Sequence, residues 1–351
     1  MTAPAERELP KLADPSAPLL EVEGLRTHFK LGRETVYAVD GVSFRLDRGE
    51  ALGIAGESGC GKTTTALSLV GLLPSNAEVV EGSIRLYGID LAGRSETGLR
   101  RYRWREIAMV FQGAMNALNP VRRIRDQIAE PIVQRLGTGE RDARRKAGDL
   151  LELVGIPRER GRAYPHELSG GMRQRAMIAM ALACDPAIII GDEPTTALDV
   201  MIQAQILELL ERLRAELGLS LILITHDLSV IAETCDRVLI MYAGRVAEEG
   251  LVAEVFGHPR HPYTQKLLGA IPNIHVERRV LETIPGSPPD LRYPPPGCRF
   301  APRCPAAMDV CRTDVPPEVR LADGVRVACH LYPPGSDGTP VVLPSGESGA
   351  S

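Results

Sequence analysis

The sequence predicts an α/β fold in which short apolar strands carry polar chemistry at their C-terminal ends. Three observations lead there. The run Ala51-Leu52-Gly53-Ile54-Ala55 passes through a glycine-rich loop into Ala66-Leu67-Ser68-Leu69-Val70, the pattern of strand, loop and helix. A second buried strand, Ala187-Ile188-Ile189-Ile190-Gly191, delivers Asp192 and Glu193 at its end. A third, Leu221-Ile222-Leu223-Ile224, is followed by Thr225-His226-Asp227, and a helix from Gln203 to Leu217 with apolar Ile206, Leu209, Leu210 and Leu213 separates the two.

The loop of the first unit is Gly56-Glu57-Ser58-Gly59-Cys60-Gly61-Lys62-Thr63-Thr64. Its G-x-x-x-x-G-K-T spacing is that of a phosphate-binding P-loop. Glycines let the backbone wrap until several N–H groups point at phosphate oxygens, and the following helix adds its positive end. Lys62 is then placed to reach the β- and γ-phosphates and Thr63 to ligate Mg²⁺. Cys60 stands where any compact side chain suffices. A nucleoside triphosphate is the implied ligand.

With 351 residues the chain has room for one large domain and a smaller appendage. A net charge of -4 gives no global basic field, so no nucleic-acid partner is expected. Apolar runs are of strand length, far short of a membrane span, and the first eighteen residues lack the apolar core of a signal peptide. A soluble cytoplasmic protein is therefore expected, a setting in which its seven cysteines do not suit structural disulfides.

Taken in order, residues 1–18 read as a flexible tail. Strands at Leu19-Leu20-Glu21-Val22 and from Val36 to Phe44 suggest an antiparallel portion before the P-loop. Phe29, just after the first strand, suits stacking on a base or a half-buried strand end equally well. Glu81 to Tyr87 reads as another strand. Arg100-Arg101-Tyr102-Arg103-Trp104-Arg105 interleaves base and aromatic, but so short a run reads as a solvated basic face before it reads as a nucleic-acid surface. A strand from Ile107 to Phe111 ends at Gln112, the pattern is helical from about Asp126 to Val154, and a second apolar helix runs from Ala176 to Ala183. Asp192 is placed to hold Mg²⁺ and Glu193 to polarise an attacking water, with helix capping as the plainer alternative. His226 is a candidate γ-phosphate partner, although strand-end histidines are commonly structural.

These motifs together resemble the ATP-binding subunits of ABC transporters, over nearly all of residues 19–335. Leu168-Ser169-Gly170-Gly171-Met172-Arg173-Gln174-Arg175 looks like the signature loop of that family, Gln112 stands at its Q-loop, Asp192-Glu193 at Walker B, Ala197-Leu198-Asp199 at the D-loop and His226 at the switch histidine. Phe29 falls where the family stacks adenine. The resemblance implies a mixed-sheet core with an antiparallel β subdomain and a helical subdomain at about 113–185, within a nucleotide-binding domain at 19–256. It also implies two such domains sandwiching two ATP molecules, so that Ser169, Gly170, Gly171 and Asp199 face a partner's nucleotide. Glu193 would orient the water, His226 hold the γ-phosphate, and Gln112 couple phosphate and metal to the membrane subunits. Gly113-Ala114 replace the family's usual Asp-Pro, and Gly191 its usual Ala.

Thr195-Thr196-Ala197-Leu198-Asp199-Val200, Tyr164-Pro165-His166-Glu167 and the stretch from His261 to Leu268, followed by Ile271-Pro272, narrow the resemblance to oligopeptide and dipeptide importers. Such machinery occasionally moves nickel or another small solute; a soluble ATPase acting on ribosomes or nucleic acid is the more distant alternative. The implied partners are a second ATPase subunit, a paralogue in preference to an identical copy, two membrane-spanning permease subunits, and indirectly an extracytoplasmic solute-binding protein. The chain would then sit peripherally on the cytoplasmic face of the cell membrane.

After about Gly257 proline and glycine crowd in and periodicity fades, so residues 257–335 read as a separate loop-rich extension and 336–351 as another flexible tail. Cys298, Cys304, Cys311 and Cys329, spaced C-x5-C-x6-C-x17-C, lie in that extension. A small unit with a weak core gains most from a metal centre. Gaps wider than CxxC favour a 4Fe–4S cluster over zinc or unliganded thiols. Some importers of the resembled group carry such a cluster.

Overall fold

The computed structural model describes residues 17–113, 117–196, 198–270 and 284–341. The tail expected at 1–18 therefore lies almost wholly outside the described residues, as do Ala114, Ala197, Ile271-Pro272 and the last ten residues of the C-terminal tail.

The chain opens with an antiparallel sheet. Strands β1 (Leu20–Leu31) and β2 (Glu34–Leu46) form a hairpin, and after β3 (Ala51–Ala55) and helix α1 (Lys62–Val70) the chain returns as β4 (Ala77–Leu86) and β5 (Ile89–Asp90). The order is β2-β1-β4-β5. Along β1 buried residues recur at every second position near its start, as in a sheet with one face on the core. The antiparallel portion expected before the P-loop is thus present, with β4 added from beyond it.

The second sheet carries the chemistry. Helix α2 (Glu96–Leu99) precedes β6 (Ile107–Val110); α3 (Ile124–Leu136), α4 (Glu140–Leu153) and α5 (Gly170–Ala181) precede β7 (Ile188–Asp192). Then come α6 (Val200–Leu217), β8 (Ser220–Ile224), α7 (Leu228–Thr234), β9 (Arg237–Tyr242) and β10 (Arg245–Leu251). β9, β3, β8, β7 and β6 run parallel, and β3, β7 and β8 are buried at every residue, as parallel strands covered on both faces must be. Their carboxyl ends share one edge, where ligands bind in such sheets.

One long helix was not the outcome between Asp126 and Val154: Gly137, at φ 67°, caps α3 and turns the chain into α4. Helices α3 to α5 enclose a core of Ile124, Ile128, Ile132, Ala147, Leu151 and Ile178.

The stretch read as a separate extension is built into the same sheet. After α8 (Val252–Gly257), α9 (Pro262–Gly269) and α10 (Val310–Thr313), strands β11 (Glu318–Arg320) and β12 (Arg326–Ala328) complete the order β11-β12-β10-β9-β3-β8-β7-β6. β12 pairs with β10 through Glu248↔Val327 and Glu249↔Arg326, and Glu249 is ion-paired to both Arg237 and Arg326. Tyr263, Phe300 and Val325 share a buried cluster with Tyr242 and Ile240 of β9. Strands of three residues bear no readable periodicity, which is why composition alone makes this region look detached. Among the described residues no helix is long and apolar enough to cross a membrane.

Candidate functional site

β3 ends at Ala55 and α1 starts at Lys62, so the glycine-rich loop joins the central strand to a helix as its spacing predicts. Gly61, at φ 105°, passes so close to β2 that a Cβ would lie 2.4 Å from the Ala38 carbonyl oxygen; no other residue fits. Gly56 and Cys60 are buried, whereas Ser58, Gly59 and Thr63 are exposed and Thr64 half-buried. Lys62 Nζ donates to the carbonyl oxygens of Gly56 at 2.7 Å and Glu57 at 3.0 Å, so its ammonium lies across its own loop. Burial pushes the Cys60 thiol up despite the neighbouring Lys62 charge, which suits a compact filler and not a nucleophile.

The carboxylates from β7 sit beside this loop. Thr63 Oγ1 donates to Asp192 Oδ1 at 3.1 Å. Burial raises the Asp192 pKa and the neighbouring Glu193 charge adds to it, while the Thr63 bond and the Lys62 charge offset them only in part. A hydroxyl and a carboxylate in contact are hard oxygen donors suited to Mg²⁺.

Glu193 is held harder. Gln112 Nε2 and Thr196 Oγ1 donate to its Oε2 at 2.7 and 2.9 Å, and His226 Nδ1 lies 3.2 Å from Oε1. Its backbone N–H donates to the Ile224 carbonyl at the end of β8, and its φ of 47° is the left-handed conformation that non-glycine residues rarely take. Burial works against its charge, yet the bonds from Thr196 and His226 and the Lys62 charge outweigh it and hold the carboxyl below the usual range. Lys62, Thr63, Asp192, Glu193, Gln112 and His226 thus converge at the carboxyl ends of β3, β6, β7 and β8. Thr196 completes the set; the sequence reading quoted it only within the stretch that narrows the resemblance and gave it no part in the site.

The other predicted residues lie elsewhere. Ser169 is the N-cap of α5, its hydroxyl accepting the Met172 N–H at 3.3 Å, and Asp199 caps α6 by accepting the Ile202 N–H at 3.0 Å. The two helix starts adjoin, since a Cβ on Gly171 would meet Ile202 at 2.7 Å. Ser169 and Asp199 are exposed and Gly170 half-buried, and the hydrogen bonds of Ser169 among the described residues stay within its own helix. Phe29 is half-buried on β1 opposite Val36 and Ala77.

Cys298 and Cys304 are half-buried, Cys311 and Cys329 buried, and all four are free thiols. Burial first, and then negative charge on other cysteines of the set, pushes Cys304 up to about 11 and Cys329 up to about 12. The four therefore share one neighbourhood, although no group of three or more His, Cys, Asp or Glu among the described residues is arranged to hold a metal ion.

Comparison with known proteins agrees with this geometry. The family pattern of the ABC transporter matches residues 39–196, and that of the oligopeptide/dipeptide transporter C-terminal region matches residues 247–311. The chain is 47% identical to the oligopeptide transport ATP-binding protein AppD of Bacillus subtilis over 317 residues, covering 90% of this chain and 97% of that one. It is 48% identical to the dipeptide transport ATP-binding protein DppD of the same organism, covering 89% and 94%. A dimeric, post-hydrolysis structure of the ATP-binding cassette MJ0796 with ADP and Pi superposes with a TM-score of 0.60 at 28% identity, covering 66% of this chain and 98% of that one. A P-loop facing two strand-borne acids, on a chain so close to these relatives over nearly their full lengths, places it among the ATP-hydrolysing subunits of ABC transporters, in the oligopeptide and dipeptide import family.

Proposed function

We propose that ATP is hydrolysed at a site completed by a second ATPase subunit, with Glu193 as general base. The observation that carries this is the pinning of Glu193 by Gln112, Thr196 and His226 beside the Thr63–Asp192 pair. The P-loop amides and Lys62 bind the phosphates, the ammonium leaving the carbonyls of Gly56 and Glu57 for the β- and γ-oxygens. A water oxygen attacks the γ-phosphorus in line with the departing ADP while Glu193 accepts its proton, and His226 steadies the γ-phosphate. Thr63, Asp192 and Gln112 would hold Mg²⁺, which neutralises phosphate charge when bound. Phe29 would stack on adenine.

Ser169, Gly170 and Gly171, at an exposed helix N-terminus beside the Asp199-capped start of α6, suit the phosphates of a partner's nucleotide. ATP would then draw two subunits together, in our reading this chain and a paralogue, and Gln112 would relay closure to two permease subunits supplied by a solute-binding protein. The chain would work peripherally at the cytoplasmic face, with residues 19–256 as its nucleotide-binding domain, and it needs no nucleic acid. Glu193→Gln should abolish turnover and trap an ATP-bound dimer; wild-type turnover in that variant would overturn the assignment.

A second reading concerns the cysteines, and the mutual proximity of four free thiols favours it. Cys298, Cys304, Cys311 and Cys329 would ligate a structural 4Fe–4S cluster, with zinc as the alternative. Anaerobically purified protein should be brown and lose that colour in the Cys298→Ser, Cys304→Ser variant. A colourless protein carrying one zinc per chain would refute the cluster.

A further inference from the structure

The P-loop is also gripped from its far side. Arg303 sets its guanidinium fork on the carboxylate of Glu57, the second residue of the loop, with Nη1 to Oε2 at 2.6 Å and Nη2 to Oε1 at 3.0 Å. The arginine side chain is only 5% exposed, and its other donors are engaged by the Pro285 carbonyl at 2.8 Å and the Tyr242 hydroxyl at 3.1 Å. The hydroxyl of Tyr263 accepts the backbone N–H of the same Glu57 at 2.8 Å. Four residues before Arg303, the equally buried Arg299 donates to Asp40 and to the Ala243 carbonyl, and the next N–H, that of Gly244, donates to the carbonyl of Cys60 in the P-loop at 2.8 Å. One short segment of the C-terminal region thus holds the loop directly through Arg303 and supports it indirectly, through Arg299 and the Ala243-Gly244 turn.

Glu57 is the sensitive point. Its N–H is fixed by Tyr263, its carboxylate by Arg303, and its carbonyl receives the Lys62 ammonium at 3.0 Å. How the Glu57 peptide is turned therefore bears on where Lys62 rests before phosphate arrives. An acidic side chain in a phosphate-binding loop would also repel the nucleotide unless a neighbouring cation cancels its charge. The pair is part-buried, with Arg303 5% and Glu57 25% exposed, so removing the arginine leaves a poorly compensated negative charge on the phosphate-binding loop.

We infer that Arg303 is a positioning residue for nucleotide binding: through Glu57, the C-terminal segment sets the shape and charge of the P-loop and hence its affinity for ATP. This rests on the reading of Gly56 to Thr64 as the ATP site. The test is a double-mutant cycle on the full-length chain, with the Kd for Mg-ATP measured calorimetrically and the fold checked by thermal melting without nucleotide. Arg303→Gln should weaken binding about tenfold, because Glu57 is left charged and loose. Arg303→Lys, which keeps the charge but not the fork, should fall between. In a Glu57→Gln background the Arg303→Gln change should cost nothing more, which a merely structural arginine would not show. Binding within twofold of wild type by folded Arg303→Gln would overturn the proposal, as would an undiminished penalty in the Glu57→Gln background. Should Arg303→Gln not fold, the same two comparisons made with Arg303→Lys decide. A wild-type chain that binds no ATP would instead refute the nucleotide site, and this proposal with it.

Discussion

Glu193 shows how much of a site is written in local sequence. Its place after a buried strand and a P-loop marked it as a base, because an acid at a strand's end is what in-line attack on a phosphate needs. Its left-handed backbone and the Thr196 bond were invisible, since both depend on how the chain leaves β7. His261 was quoted only as part of a resemblance, yet the structure gives it a titration. It caps α9, its Nδ1 accepting the Tyr263 N–H at 3.0 Å, and its buried ring packs against Phe300. Burial lowers its pKa from 6.5 to about 4. Between those values the unfolded chain binds a proton that the folded chain refuses, so this contribution is whole above pH 6.5 and falls as the pH drops toward 4. Stability should be lower by about 2 kcal/mol at pH 5 than at pH 7 on this account. Glu248, whose carboxylate accepts the His261 N–H, is pushed up by burial and titrates in the opposite sense. Urea unfolding of His261→Asn, which keeps the capping acceptor and cannot titrate, isolates the histidine: an unchanged pH dependence would clear it of the effect.

Whole elements were read well where a buried face enforced their period and poorly where caps decided. The apolar helix expected from Ala176 begins at Gly170, because the Ser169 hydroxyl takes up a free N–H that the two glycines could not satisfy themselves. The basic-aromatic run Arg100 to Arg105 is not a solvated face throughout. Arg103 donates through Nε to the Val70 carbonyl and through Nη2 to the Gly71 carbonyl, both at 2.6 Å, and pairs with Glu96. It therefore closes the C-terminal end of α1, the helix that begins at the P-loop lysine, where a cation also suits the helix dipole. Arg103→Ala should cost about 2 kcal/mol by chemical denaturation, the scale of charged hydrogen bonds to part-buried carbonyls. A loss below about 0.5 kcal/mol would mean that water replaces the arginine there.

For the molecule as a whole, the decisive difference lies after residue 257. Composition made this region a loose addition, whereas it supplies two strands to the main sheet and an aromatic cluster against β9. Phe300 is 1% exposed and touches the rings of Tyr242, Tyr263 and His261. Phe300→Ala should destabilise the whole chain by about 3–5 kcal/mol, in a single unfolding transition. A separate early transition confined to the C-terminal region would show that it folds apart from the sheet.

The sequence by itself located the residues that bear the chemistry: the glycine-rich loop, Asp192 and Glu193, and His226 at strand ends, with Gln112 and Ser169 to Gly171 singled out through the resemblance. Each is a short run whose spacing must match a strand end or a helix start, so local letters suffice. Only the tertiary structure decided what stands behind that chemistry. Arg303 and Glu57 are 246 residues apart, and the edge of β10 that receives β12 exists only once the sheet has formed. Pairings of that kind depend on which edges and charges the fold leaves open, and no periodicity in the chain announces them.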